Sequence, residues 1–215
     1  MKLAKGSASW ILIPLFFSIL SLLAGLFVNN NLQIIMYFLS FLLFILTLLF
    51  IIFFRDPNRE IGKGIVAVAD GKIRSIQKKQ DDYVGNSLFI STFMNIYNVH
   101  VNRVPIDGTV SKIIHIPGSN LPAFTKESER NERIIYQMET SIGPVKIIQI
   151  AGTLARRIIP YIHKSDMVKK GQKLGIIRLG SRVDIYLPAN AIKKNIVEEG
   201  QFVKAGVDCL AEIHD

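Results

Sequence analysis

The first 54 residues contain no Asp or Glu, and their only basic residues are Lys2 and Lys5. Two apolar runs fill this stretch, Trp10–Val28 and Leu32–Phe54, separated by Asn29, Asn30 and Asn31. A hydrocarbon core is crossed by about 20 apolar residues in helical form, and in lipid the backbone must satisfy its own hydrogen bonds. The runs therefore read as a two-helix transmembrane hairpin over residues 1–54. A cleaved signal peptide fits poorly, because the first run is long, no small-x-small site follows it and a second run comes at once. Lys2 and Lys5 precede the hairpin, Arg55, Arg59 and Lys63 follow it, and the connecting loop is uncharged. The positive-inside rule then puts both ends in the cytoplasm of a cell membrane, with residues 55–215 as a cytoplasmic domain.

That second part has the size of one domain with its own core. It holds all 17 acidic residues and all but Lys2 and Lys5 of the 26 basic ones, a basic excess that suits a surface near anionic membrane lipids. Neither a helix-turn-helix pattern nor an aromatic-basic sheet signature is present, so nucleic acid is not an expected partner. Cys209 is the single cysteine, and His100, His115, His163 and His214 are scattered, which gives no intrachain disulfide and no metal site. Runs rich in Val, Ile and Tyr predict strands at 65–68, 72–76, 88–93, 109–116, 132–139 and 145–150, with two more flanking Gly180-Ser181. Turns are expected at Asp70-Gly71, Asp107-Gly108, Pro117-Gly118 and Gly143-Pro144; residues 155–162 read as a short helix or another strand. Residues 167–175 and 197–206 share a pattern of an apolar residue, a charged pair, Gly-Gln and a further glycine. Such turns are typical of flattened β-sandwiches of the lipoyl-domain type. The expected fold class is mainly β, a flattened sandwich with lipoyl-domain-like elements behind the helical hairpin.

Chemistry centres on Gly180-Ser181, inside the strand-like run LGIIRLGSRVDIYLP. Gly6-Ser7 and Gly118-Ser119 lack that setting. Beyond the pair, Val183, Ile185 and Leu187 alternate with Arg182, Asp184 and Tyr186, the pattern of a half-buried strand. One reading makes Gly180 an ordinary bulge; the other makes Gly180-Ser181 a self-cleavage point. A serine that attacks a carbonyl needs a base. His100 is the best-placed candidate, in an extended segment bounded by Pro105 and Asp107-Gly108. Asp70, at the end of an apolar strand, is a candidate to orient that base. The alternatives are a satisfied strand histidine and plain turn chemistry.

Eight pieces occur in an order that resembles phosphatidylserine decarboxylase in its short, membrane-anchored form: FRDPNR at 54–59, VADG at 68–71, HVNRVP at 100–105, PG at 117–118, NER at 131–133, QIAG at 149–152, ARR at 155–157 and LGSRVD at 179–184. The resemblance covers essentially everything after residue 53. It implies a proenzyme that cuts itself between Gly180 and Ser181, through attack of Ser181 Oγ on the Gly180 carbonyl and β-elimination. Residue 181 then becomes a covalent pyruvoyl group, the cofactor, while fragments 1–180 and 181–215 stay together as a heterodimer. The pyruvoyl ketone condenses with the amine of a serine phospholipid and acts as electron sink while carbon dioxide leaves. His100 matches a family histidine, and Asp70 the carboxylate that supports the base. An archaeal ether lipid carries the same serine headgroup and would make the chain an archaetidylserine decarboxylase.

Two positions depart from the longer enzymes. Asn98 stands where they carry an acidic residue, and Arg103 replaces a second histidine. Asparagine can orient a ring by hydrogen bonding but brings no charge. The reading from another class is a membrane-anchored β-sandwich adaptor of an export system. Such adaptors usually have one anchor, a long coiled-coil hairpin and an outward-facing domain, whereas this chain shows two spans and no heptads. Higher oligomers remain open.

Overall fold

The computed structural model describes residues 2–118, 131–152, 157–178 and 181–214. The chain forms two compact units, Met1–Asn58 and Arg59–Asp215.

In the first unit, β1 (Lys2–Leu3) precedes α1 (Ala8–Gly25) and α2 (Asn30–Phe53), and β2 (Arg55–Asp56) pairs antiparallel with β1. That pairing draws residues 55–58 into this unit, so it ends a little beyond the compositional boundary at 54. Both helices are long and apolar enough to cross a membrane. Asn29 occupies the N-cap position of α2 without a side-chain capping hydrogen bond, and Asn30 and Asn31 already form its first turn, so the expected three-asparagine loop is shorter than the sequence suggests. The helices meet through small hydroxyl residues. Ser18 Oγ donates to the Ser40 carbonyl and Ser40 Oγ to the Ser18 carbonyl, each at 2.8 Å, and Ser21 Oγ donates to the Met36 carbonyl at 2.8 Å. The large apolar side chains, among them Leu12, Phe16, Ile34 and Phe38, stand on the outside. Small residues at the seam and interhelical hydrogen bonds are how helices pair where no hydrophobic effect drives them together.

The described residues of the second unit form β3 (Ile65–Val66), β4 (Gly71–Asp81), β5 (Gly85–Met94), β6 (Val101–Arg103), β7 (Gly108–Ile116), β8 (Arg133–Thr140), β9 (Gly143–Ala151), β10 (Ile158–Pro160), β11 (Met167–Val168), β12 (Lys173–Ile177), β13 (Ser181–Pro188), β14 (Ile192–Asn195), β15 (Phe202–Val203) and β16 (Cys209–Ile213). A curled eight-stranded sheet runs β11-β7-β8-β9-β13-β5-β4-β15; smaller sheets are β10-β12-β6 and β14-β16-β3. The mainly β class matches the expectation. Alternate residues of the long strands, including Ile73, Ile90, Tyr136, Ile147, Val183 and Ile185, point into one shared core. The described part of 155–162 forms β10, and residues 153–156 lie outside the description.

The two similar segments fold as equivalent turns. Gln172 Oε1 accepts from the Lys169 amide and Gln201 Oε1 from the Glu198 amide, each at 3.0 Å. Gly171 N donates to Val104 O while Val104 N donates to Gln172 O; Gly200 and Gln201 repeat this pair with Ile73, all four bonds at 2.8 Å. Gly171 and Gly200 have φ of +79° and +90°, a region costly for any residue with a Cβ. Asp70-Gly71, by contrast, is a bend leading into β4, and its glycine serves close approach: a Cβ there would lie 2.1 Å from the Phe93 carbonyl oxygen.

Gly200→Ala should destabilise the domain by about 1–2 kcal/mol through backbone strain. Gly171→Ala should cost more, since its Cβ would also fall 2.2 Å from Ile61 Cδ1. Thermal unfolding of the detergent-solubilised chain checks both, and equal losses would show that the Ile61 contact relaxes.

Candidate active site

Ser181 opens β13, the strand between β5 and β9, where it faces Met94 on one side and Ala151 on the other. The residues before it belong elsewhere: β12 lies in the three-stranded sheet with β10 and β6. The apolar run around Gly180-Ser181 is therefore two strands in two sheets, and the junction falls at 178–181. Leu179 and Gly180 lie outside the described residues, so the bulge reading of Gly180 is not addressed by the fold.

β13 also departs from the half-buried expectation. Seven of its eight residues are buried, including Arg182 and Asp184. On that outer face Asp184 accepts from Ser91 Oγ at 2.6 Å and from Arg182 Nη2 at 2.9 Å. Phe89 and Tyr186 pack beside them, with Lys79 and Lys146 over their rings. Burial raises the Asp184 carboxyl above the usual range, against the opposing pull of Arg182 and Ser91. Alternation of polar and apolar residues signalled an exposed face; a buried polar cluster closes it instead.

Ser181 itself is fully buried on the core face. Its Oγ donates to Met94 Sδ at 3.3 Å, and Asn102 Nδ2 donates to the same sulfur at 3.6 Å. Gln149 Nε2 donates to Asn102 Oδ1 at 2.6 Å, and the Tyr136 hydroxyl donates to Gln149 Oε1 at 2.6 Å. Tyr136, Gln149 and Asn102 have no solvent exposure. Burial raises the Tyr136 phenol well above its ordinary range, so it remains a donor. Asn102 and Gln149 lay within recognised motifs, yet sequence reasoning gave them no role. The available signal was their placement: Gln149 shares the inward positions of β9 with Val145 and Ile147, and a lone amide there needs a buried partner.

His100 is fully buried and immediately precedes β6. Its carbonyl accepts from the Ile177 amide at 3.4 Å, which fastens it beside the end of β12, on the chain leading to residue 181. Its Nδ1 lies 2.9 Å from the Asn98 carbonyl oxygen. A carbonyl only accepts, so in the neutral ring the proton sits on Nδ1 and the basic lone pair on Nε2. The Asn98 side chain is engaged elsewhere, accepting from the Asn95 amide at 2.7 Å. The ring thus bonds to the backbone at position 98 and not to the asparagine side chain, which could also orient a ring.

Asp70 sits at the same end of the sheet. Lys72 faces Phe93 on β5, which faces Arg182 on β13, so Asp70 lies level with the start of β13. Its carboxylate, however, receives Arg59 in a two-pronged pair at 2.5 and 2.7 Å and the Ala205 amide at 2.8 Å. The fold brings Ser181, His100 and Asp70 to one end of the domain, but both Asp70 oxygens are engaged by groups other than His100. Among the described residues, no cluster of three or more His, Cys, Asp or Glu side chains is arranged to hold a metal ion.

Comparison with known proteins shows the family. The family model described as phosphatidylserine decarboxylase matches residues 46–211. A phosphatidylserine decarboxylase proenzyme of Streptomyces avermitilis is 48% identical over 156 residues, covering 72% of this chain and 70% of the relative. One from Cupriavidus metallidurans is 43% identical over 179 residues, 80% and 81% of the two chains. A Methanosarcina barkeri chain described as an archaetidylserine decarboxylase proenzyme is 36% identical over 214 residues, 98% of each. With most of its length matched by the family model and these relatives aligned across the β-rich unit, the chain belongs to the phosphatidylserine decarboxylase family.

Proposed function

We propose that the chain is a self-processing, pyruvoyl-dependent decarboxylase that converts a serine phospholipid to the ethanolamine phospholipid with release of carbon dioxide. The observation that carries this reading is the placement of Ser181: buried, first in its strand, and at the point where the chain passes between sheets. Cleavage there separates residues without removing a strand from the middle of a ladder. Fragment 181–215 would remain bound, because β13 pairs with β5 and β9, β15 with β4, and β16 with β3.

Ser181 Oγ attacks the Gly180 carbonyl carbon, the C–N bond breaks, and an ester forms with a free amine on residue 181. His100 Nε2 takes the hydroxyl proton and returns it to the departing nitrogen. Removal of the residue 181 α-proton expels the Gly180 carboxylate, and water releases ammonia from the resulting dehydroalanine. The site suits the group so formed, since Met94 and Ala151 hold residue 181 on both sides in a place closed to solvent. Once present, the pyruvoyl ketone supplies an electron sink for decarboxylation of an amine-bearing substrate. His100 would then hold the proton that replaces carbon dioxide. Asp70, fixed by Arg59, contributes negative charge at the same end of the sheet. The two apolar helices tether this unit to a cell membrane, with the catalytic unit on the cytoplasmic side. The relatives' names cover diacyl and archaeal lipids, which share the serine headgroup that this chemistry reads.

Wild-type protein should run as two pieces under denaturing conditions and lose activity to hydroxylamine, which captures ketones. Ser181→Ala should remain a single inactive chain; efficient cleavage of that variant would refute the mechanism. His100→Ala should slow maturation by about 10²–10⁴-fold, the usual contribution of a positioned base. Asp70→Asn should slow it as well. Normal maturation of both variants, followed by gel after pulse labelling, would assign His100 and Asp70 to structure alone. A reporter fused at Asn30 should read as external and one at the C-terminus as cytoplasmic, and the reverse pattern would overturn the orientation.

A further inference from the structure

The buried side chains beneath Ser181 form a chain with a direction. Tyr136 donates to Gln149 Oε1, which obliges Gln149 to turn its NH2 toward Asn102. Gln149 donates to Asn102 Oδ1, which obliges Asn102 to turn its own NH2 toward the Met94 sulfur. The last acceptor is shared, because Ser181 Oγ donates to that sulfur too. The chain also joins the two sheets: Tyr136 and Gln149 lie on β8 and β9, Asn102 on β6, and Met94 and Ser181 on β5 and β13. Gly175 on β12 faces Asn102, and a Cβ there would lie 3.2 Å from Gln149 Oε1, so the bare backbone leaves room for the amide.

A thioether is a weak acceptor and no base. Held on it, the Ser181 hydroxyl keeps its proton and a defined rotamer, and that proton must leave the sulfur before the oxygen can attack a carbonyl. Where Met94 sits, and which face Asn102 shows it, sets the geometry from which that release starts.

We propose that Tyr136, Gln149 and Asn102 are positioning residues for self-cleavage: they hold Met94 and thereby the Ser181 hydroxyl in the arrangement from which it attacks. This rests on the reading of Ser181 as the nucleophile. Their described contact toward residue 181 runs through Met94 Sδ. Their effect passes through the sulfur and falls on maturation, with the enzyme formed afterwards affected less.

The test follows appearance of the 181–215 fragment from newly synthesised full-length chain in detergent micelles, between pH 6 and 8.5. Gln149→Leu should slow maturation by about tenfold or more, since a buried amide left unsatisfied costs on that order, and the loss should be the same at every pH. Gln149→Glu should be as slow at pH 8.5, where an ionised carboxylate cannot donate to Asn102. Its rate relative to wild type should recover as pH falls, because the protonated acid regains the donor. Melting temperatures of both Gln149 variants, measured across the same pH range, separate this from folding, which would move stability and maturation together. Tyr136→Phe, which removes one hydroxyl and little volume, should mature severalfold more slowly with a melting temperature only a few degrees lower, and it serves if the Gln149 variants fail to fold. Maturation of Tyr136→Phe at the wild-type rate, or a Gln149→Glu rate in constant ratio to wild type at all pH values, would overturn the inference. A wild-type chain that never cleaves would overturn the reading of Gly180-Ser181, and this inference with it.

Discussion

The domain is organised around a strand that is buried at seven of its eight residues. β13 lies between β5 and β9, and its polar residues must find partners inside the protein, because a buried group left unsatisfied costs about 1–3 kcal/mol. Two networks supply those partners. Arg182, Asp184 and Ser91 close the outer face, and the chain from Tyr136 to Met94 receives Ser181 on the core face. The outer network forms once β5 and β13 pair, whereas the core network needs β5, β6, β8, β9 and β13 together.

This placement holds the serine proposed as the nucleophile within a stable fold. An exposed serine next to a glycine samples many rotamers, and water competes for its hydroxyl. Buried at a strand start, with backbone partners on both sides, the hydroxyl has few positions and no solvent. His100, oriented by a main-chain carbonyl at residue 98, shows the same economy: the ring's tautomer depends on backbone geometry and not on which side chain occupies that position. The absence of an acidic residue at Asn98 therefore leaves the ring's orientation intact. Asp70 is likewise held, by Arg59 and the Ala205 amide, so its charge is fixed in place at the end of β4.

The helical unit is patterned differently. Its apolar side chains face outward and its hydroxyls face inward, the reverse of the β-rich unit. Ser18 and Ser40 each donate to the other's carbonyl, an arrangement that needs side chains small enough for the helices to approach. A large residue at either position would separate the backbones and remove both bonds.

Much of this was written in the sequence. Length and apolarity specified two helices, with bounds shifted by a few residues because Asn30 and Asn31 enter the first turn of the second helix. Alternation located the long strands, since one face of each must enter a core, and the two Gly-Gln turns were visible as a repeated local pattern. Ordered motifs brought Ser181, His100 and Asp70 forward as candidates. The remainder depended on pairing across distance. Local periodicity cannot tell that β12 and β13 join different sheets, because both runs satisfy the same alternation. Nor can it tell that Arg182 and Asp184 are buried, since a polar residue reads as exposed until its partner is known. The carboxylate of Asp70 went to Arg59 for a reason of the same kind: motif order gives neighbours along the chain, whereas an ion pair depends on where the folded backbone sets the two charges. The partners of Ser181 were decided by strand register, which places Met94 beside it and brings Asn102, Gln149 and Tyr136 beneath.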